Sequence, residues 1–176
     1  MEEMRIGRQV PFEELSEEEQ KLLQAARKTM KRAHNPYSRF YVGAAVSANG
    51  KVVTGANVEN AAYGESICAE RSALVGANAL GYGDRCKAIA VVARGRDSPT
   101  TKITAPCGSC RQMINEFAQR SGVDEDFKII LSTTRFDKVV VTTIGELLPL
   151  AFGPRDLDLI PEEEKNERIK AIPSIS

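Results

Sequence analysis

Phe40-Tyr41-Val42-Gly43-Ala44-Ala45-Val46-Ser47-Ala48-Asn49-Gly50-Lys51-Val52-Val53-Thr54-Gly55-Ala56-Asn57 reads as two β-prone runs joined by Asn49-Gly50. Asn-Gly is the strongest short hairpin signal, because both turn positions tolerate positive φ. The stretch therefore predicts an antiparallel hairpin over residues 40–48 and 51–57. It stands between helical patterns rather than among further strands, and that placement decides the fold class.

Upstream, Ser16 followed by Glu19 is a capping-box pattern, and Leu22, Ala26, Met30 and Ala33 recur at helical spacing. A helix over 16–33 follows, ended by Pro36. Its first turn carries Glu17, Glu18 and Glu19 and its last turns carry Arg27, Lys28, Lys31 and Arg32, which complements the helix dipole without any function. His34 at the helix end either caps carbonyls, lies in solvent or reaches a metal or substrate. Downstream, Leu74 and Ala77 with Gly81 as a cap predict a helix over 67–80. A buried strand over 87–93, a polar loop over 94–105, a helix over 107–119, strands over 127–133 and 138–143 and a short helix over 144–151 complete the pattern. The order αββαβαββα predicts an α/β protein, a three-layer α/β/α sandwich around a mixed five-stranded sheet.

The expected organisation is an N-terminal extension over 1–15, one catalytic domain over 16–157 and a charged tail over 158–176. Residues 1–11 show no periodicity and read as a flexible arm or a surface-packing extension. The tail is marked by Pro161-Glu162-Glu163-Glu164-Lys165 and reads as a solvated helix or disorder. At 176 residues the chain suits one domain with a sizeable core, and no internal repeat or linker divides it. Lys and Arg total 24 and Asp and Glu total 24, so no net charge draws the chain to nucleic acid or anionic lipid. A small neutral ligand fits better. The acidic start and the lack of an apolar run of about 18 residues predict a cytoplasmic protein with no membrane partner. Without a secretory signal, cysteines are better read as metal ligands than as disulfides.

The chemistry-bearing stretches are Cys68-Ala69-Glu70-Arg71 and Pro106-Cys107-Gly108-Ser109-Cys110-Arg111-Gln112. Alone, C-x-x-C also marks redox dithiols or half of a zinc ribbon, but a ribbon needs a second such pair and a redox motif needs neither Cys68 nor Glu70. Together the stretches offer Cys68, Cys107 and Cys110 to one zinc and leave its fourth position for water, the arrangement of a catalytic site. The candidates for a fourth protein ligand, Cys86 and His34, lack ligand spacing, and Cys86 reads as a buried thiol. Glu70, two residues after Cys68, reads as the proton shuttle. Both clusters fall at predicted helix starts, where free amides favour thiolates. Arg71 either donates to ligand sulfurs or is an exposed helix cation. A purely structural zinc domain would keep the cysteines without needing Glu70.

These motifs resemble the cytidine deaminase family, in its small-subunit, three-cysteine, homotetrameric branch. The likeness also includes Asn35-Pro36-Tyr37-Ser38, Phe40 to Ala45, Asn57-Val58-Glu59-Asn60-Ala61-Ala62-Tyr63, Glu146-Leu147-Leu148-Pro149 and Phe152-Gly153-Pro154, and spans roughly residues 20–157. It implies the same fold, one zinc per subunit and hydrolytic deamination of cytidine and 2′-deoxycytidine to the uridines in pyrimidine salvage. A related cytosine nucleoside, such as a blasticidin-like antibiotic, is the alternative substrate. The resemblance assigns substrate contacts to Phe40, Asn57, Glu59, Tyr63, Ala69 and Phe152. Asn57 and Glu59 would hold ribose hydroxyls, although turn chemistry and surface charge also account for them. Phe40 would pack on the nucleoside or simply fill the core. Phe152 would stack on the base in a neighbouring subunit of a homotetramer, or plug the core beside Leu147 and Leu148. The sequence departs from the family's pattern at Gly64-Glu65-Ser66 and in its long ends.

Overall fold

The structure, a computed structural model, describes residues 6–160. A six-stranded mixed sheet runs in the order β1-β6-β5-β4-β2-β3. Its strands are β1 (Arg8–Val10), β2 (Tyr41–Ala48), β3 (Lys51–Ala56), β4 (Cys86–Arg94), β5 (Lys128–Ser132) and β6 (Val139–Thr143). Among the described strands only β4 and β5 pair in parallel. The helices are α1 (Glu17–Thr29), α2 (Ala69–Ala79), α3 (Gly108–Arg120) and the single turn α4 (Ile144–Leu147).

The expected hairpin forms in the register that its turn demands. Ala48 faces Lys51, and Asn49 and Gly50 both take positive φ, 50° and 72°. Side chains then alternate between the two faces, as the two-residue period of a strand requires. Ala44, Val46, Ile89 and Val91 join Leu74, Ile114 and Phe117 beneath α2 and α3. Ala45, Ala90 and Val92 join Leu22, Leu23 and Ala26 beneath α1. Helices thus cover both faces, and the three layers follow. Close approach explains two glycines of the hairpin. A Cβ on Gly43 would lie 2.0 Å from the Ala26 carbonyl oxygen, and one on Gly55 would lie 2.3 Å from the Ala73 nitrogen. Neither helix could seat against the strands if those residues carried side chains.

The sheet has six strands where the sequence pattern predicts five. The additional strand comes from the stretch read as an arm: Arg8, Gln9 and Val10 pair antiparallel with Val141, Val140 and Val139. Three residues with one buried side chain, Val10, are too short to display a two-residue period. The predicted helix over 16–33 ends as α1 at Thr29 and continues as a 3₁₀ turn, Met30–Arg32. The last predicted helix is one turn long. Beyond it Pro154–Leu157 forms a 3₁₀ turn, and the charged stretch from 161 onward lies outside the described residues.

Candidate active site

The site lies where the start of β2 and the end of β3 meet the starts of α2 and α3. Cys68 is the N-cap of α2 and Cys107 the N-cap of α3, with Cys110 in the first turn behind it. The three sulfurs lie within 4.8 Å of one another. Cys68 Sγ is 3.9 Å from Cys107 Sγ, which is 3.5 Å from Cys110 Sγ. Zinc–sulfur bonds of about 2.3 Å in a tetrahedron separate sulfurs by roughly 3.8 Å, so this donor set fits a zinc ion. All are free thiols, and Cys86, fully buried at the start of β4, stands outside the group.

Crowding three thiols makes their ionisation unequal. Hydrogen bonds from Cys110 and Cys107 outweigh burial and, with the Arg71 charge, draw the Cys68 thiol down to about 6. The bond that Cys110 makes to Cys68, together with burial, pushes the Cys110 thiol up. A divalent cation would resolve this competition by taking all three as thiolates. Burial raises Glu70 to about 7, and the neighbouring Cys68 charge adds to the rise. That carboxyl is only 4% exposed.

A cleft of about 290 Å³ opens over this centre. Phe40, Asn57, Glu59, Ala69 and Glu70 line it beside Cys68 and Cys107, and among the described residues no Lys, Arg or His does. The Asn57 carboxamide binds the β2 entry: its oxygen accepts the Val42 N–H at 2.9 Å and its nitrogen donates to the Phe40 carbonyl at 2.9 Å. Glu59 Oε2 accepts the N–H groups of Tyr37 and Ser38 at 2.9 and 3.2 Å, and Glu59 Oε1 accepts the Ser38 hydroxyl. Hydrogen bonding by Ser38 holds the Glu59 carboxyl below the usual range. His34 contributes backbone, donating to the Asn57 carbonyl at 3.0 Å and accepting from Glu59 N–H at 2.7 Å.

Two residues that the resemblance assigns to the substrate lie apart from the cleft lining. Tyr63 is 71% exposed and sits edge-on to Tyr37 at 5.4 Å. Phe152 is 62% exposed, with its carbonyl held by Gln112 Nε2 at 2.8 Å and Asn115 Nδ2 at 3.2 Å. Arg71 acts on Cys68 through its charge; among the described residues it makes no hydrogen bond to a sulfur. Arg111, a motif residue to which the sequence reading gives no role, donates to the Pro106 carbonyl at 2.9 Å and the Leu147 carbonyl at 3.0 Å. It pins the turn that delivers Cys107 to α4. Its place directly after Cys110 was the only available signal, because both acceptors are backbone groups with no sequence signature.

Residues 16–123 match the cytidine and deoxycytidylate deaminase zinc-binding region, the class that this fold and thiol centre define. A cytidine deaminase of Halalkalibacterium halodurans is 41% identical over 79% of this chain and 97% of its own length. A probable cytidine deaminase of Dictyostelium discoideum is 38% identical over 86% of this chain and 94% of its own. The crystal structure of cytidine deaminase from Burkholderia pseudomallei superposes with a TM-score of 0.67 at 41% identity, covering 78% of this chain and all of that one. The chain belongs to the cytidine deaminase family.

Proposed function

We propose that the protein hydrolyses cytidine and 2′-deoxycytidine to the corresponding uridines and ammonia. The observation that carries this reading is a buried carboxylic acid, Glu70, placed against three convergent thiols at the floor of a nucleoside-sized cleft. Cys68, Cys107 and Cys110 would hold one zinc per subunit. When bound, zinc supplies Lewis acidity that makes water a nucleophile at neutral pH. Glu70 takes one proton from the attacking water at its carboxylate and delivers it to the pyrimidine N3, then takes the second from the hydroxyl added at C4 and passes it to the amino group, which leaves as ammonia. Burial suits it to the task, since a carboxyl titrating near 7 both accepts and releases protons at neutral pH. A purely structural zinc domain would gain nothing from burying that acid.

The cleft lining also selects the substrate class. A nucleotide's phosphate would meet the carboxylates of Glu59 and Glu70 and, among the described residues, no cationic side chain of the lining, which favours a free nucleoside over a nucleotide or polynucleotide. Phe40 and Ala69 pack against the nucleoside, and Asn57 and Glu59 face its sugar. Phe152, exposed on its own chain, reaches a neighbouring subunit's cleft in a homotetramer, with Tyr63 at the rim, and Arg71 tempers the thiolate charge. The enzyme works in the cytoplasm; no described helix is long and apolar enough to cross a membrane. Ammonia release from a panel of cytosine nucleosides, nucleotides, free base and short oligonucleotides tests the reading. Activity confined to the nucleosides is expected, and release from the nucleotides or oligonucleotides alone would overturn it.

A further inference from the structure

Glu59 is oriented by a single side chain. Its Oε2 accepts two backbone N–H groups, whereas among the described residues its Oε1 accepts only the Ser38 hydroxyl. A carboxylate oxygen has room for two donors, so Oε1 keeps one open direction. Asn57 Nδ2 spends one N–H on the Phe40 carbonyl and keeps the other. The site therefore offers one acceptor and one donor, which a single alcohol satisfies at both its hydrogen and its oxygen.

Ser38 also fixes the aromatic wall. Its Oγ accepts the Phe40 N–H at 3.0 Å. Between them Arg39 takes a left-handed backbone, φ 56°, with its N–H on the Asn35 carbonyl at 3.0 Å. A non-glycine residue rarely adopts that backbone conformation unless neighbouring bonds over-determine it. One hydroxyl thus bridges the carboxylate facing the sugar and the turn that aims Phe40 into the cleft.

We infer that Ser38 is a positioning residue for sugar recognition: its hydroxyl sets the rotamer of Glu59 so that Oε1, with Asn57 Nδ2, grips one nucleoside hydroxyl. This rests on the nucleoside reading above. Because that reading takes both cytidine and 2′-deoxycytidine, the gripped group is one both sugars carry on the ring, the 3′-hydroxyl.

The test compares wild type, Ser38→Ala and Ser38→Thr on cytidine, 2′-deoxycytidine and 3′-deoxycytidine, with KM and kcat measured separately. Ser38→Ala should raise KM for the first two by about tenfold, the scale of a hydrogen bond to a charged group, with kcat within about twofold. Wild type and Ser38→Ala should share one KM for 3′-deoxycytidine, and Ser38→Thr, which retains the hydroxyl, should behave as wild type. An unchanged KM for cytidine in Ser38→Ala, or an equal loss on 3′-deoxycytidine, would overturn the inference while leaving the deaminase reading in place. A wild type indifferent to the 3′-hydroxyl would overturn the inference together with the sugar assignment. A wild type that deaminates no cytidine would overturn the functional reading itself.

Discussion

Glu70 and Cys86 show how position decides what a side chain can do. Both are buried, and burial pushes both titrations up, Glu70 to about 7 and Cys86 to about 11. Glu70 faces convergent thiols, whereas Cys86 meets the Tyr82 carbonyl and stands outside the thiol group. Replacing Glu70 by Gln should keep the metal and the fold while cutting turnover by about 100- to 10,000-fold, the usual worth of general acid–base catalysis. Metal analysis in the same series should find zinc retained by Glu70→Gln and Cys86→Ser and lost from Cys107→Ser. The convergence of the three thiols was legible in the sequence because a metal site demands those residue types at that spacing, and Glu70, two residues after Cys68, came with them as a candidate. The roles of Ser38 and Arg111 were not. Ser38 meets its acceptor 21 residues away and Arg111 reaches a carbonyl 36 residues away, and only folding creates such pairs.

At the scale of elements, helix starts carry the design. The capping box at Ser16 forms as its spacing predicts, with Ser16 Oγ accepting the Glu19 N–H at 3.3 Å and Glu19 Oε2 accepting the Ser16 N–H at 2.9 Å. Glu19 also meets Lys128 of β5 at 2.6 Å, tying α1 to the sheet. Burial alone would raise the Glu19 carboxyl, but bonds from Lys128 and Ser16 outweigh it and lower the titration below its ordinary value of 4.5. The linked stability is present above that value and is lost as pH falls through the lowered folded-state titration. Lys128→Met should therefore cost at most about 1 kcal/mol near neutral pH, Lys128 being half exposed, and denaturation curves of variant and wild type should converge in acid. A different device secures the segment after α4. Gln112 and Asn115 hold the Phe152 carbonyl, and Gln119 accepts the Arg155 N–H at 3.0 Å, all from one face of α3. Spacings of three and four place such residues together on any helix, so the ladder was visible as a pattern but its occupant was not.

For the whole molecule, the alternation of elements was enough to read a three-layer sandwich, whereas β1 escaped notice because a short edge strand is defined by its partner. The assembly gives the sharpest whole-molecule prediction. If Phe152 serves a neighbour's cleft, mixed tetramers of Phe152→Ala and Glu70→Gln chains should recover part of the activity that both parents lack, because some clefts then combine an intact Glu70 with an intact Phe152. Activity assays on mixtures whose subunit exchange is verified by mass spectrometry make the measurement, and no recovery would exclude shared sites.

The pairing of β1 with β6 also has a meaning for synthesis. Arg8 ends opposite Val141, so among the described strands the first to be synthesised belongs beside the last. At roughly 5–20 residues per second, β1 waits on the order of ten seconds for its partner. Throughout that interval the sheet can grow only around the hairpin, β4 and β5, while β1 stays available to chaperones or to a strand edge on another chain.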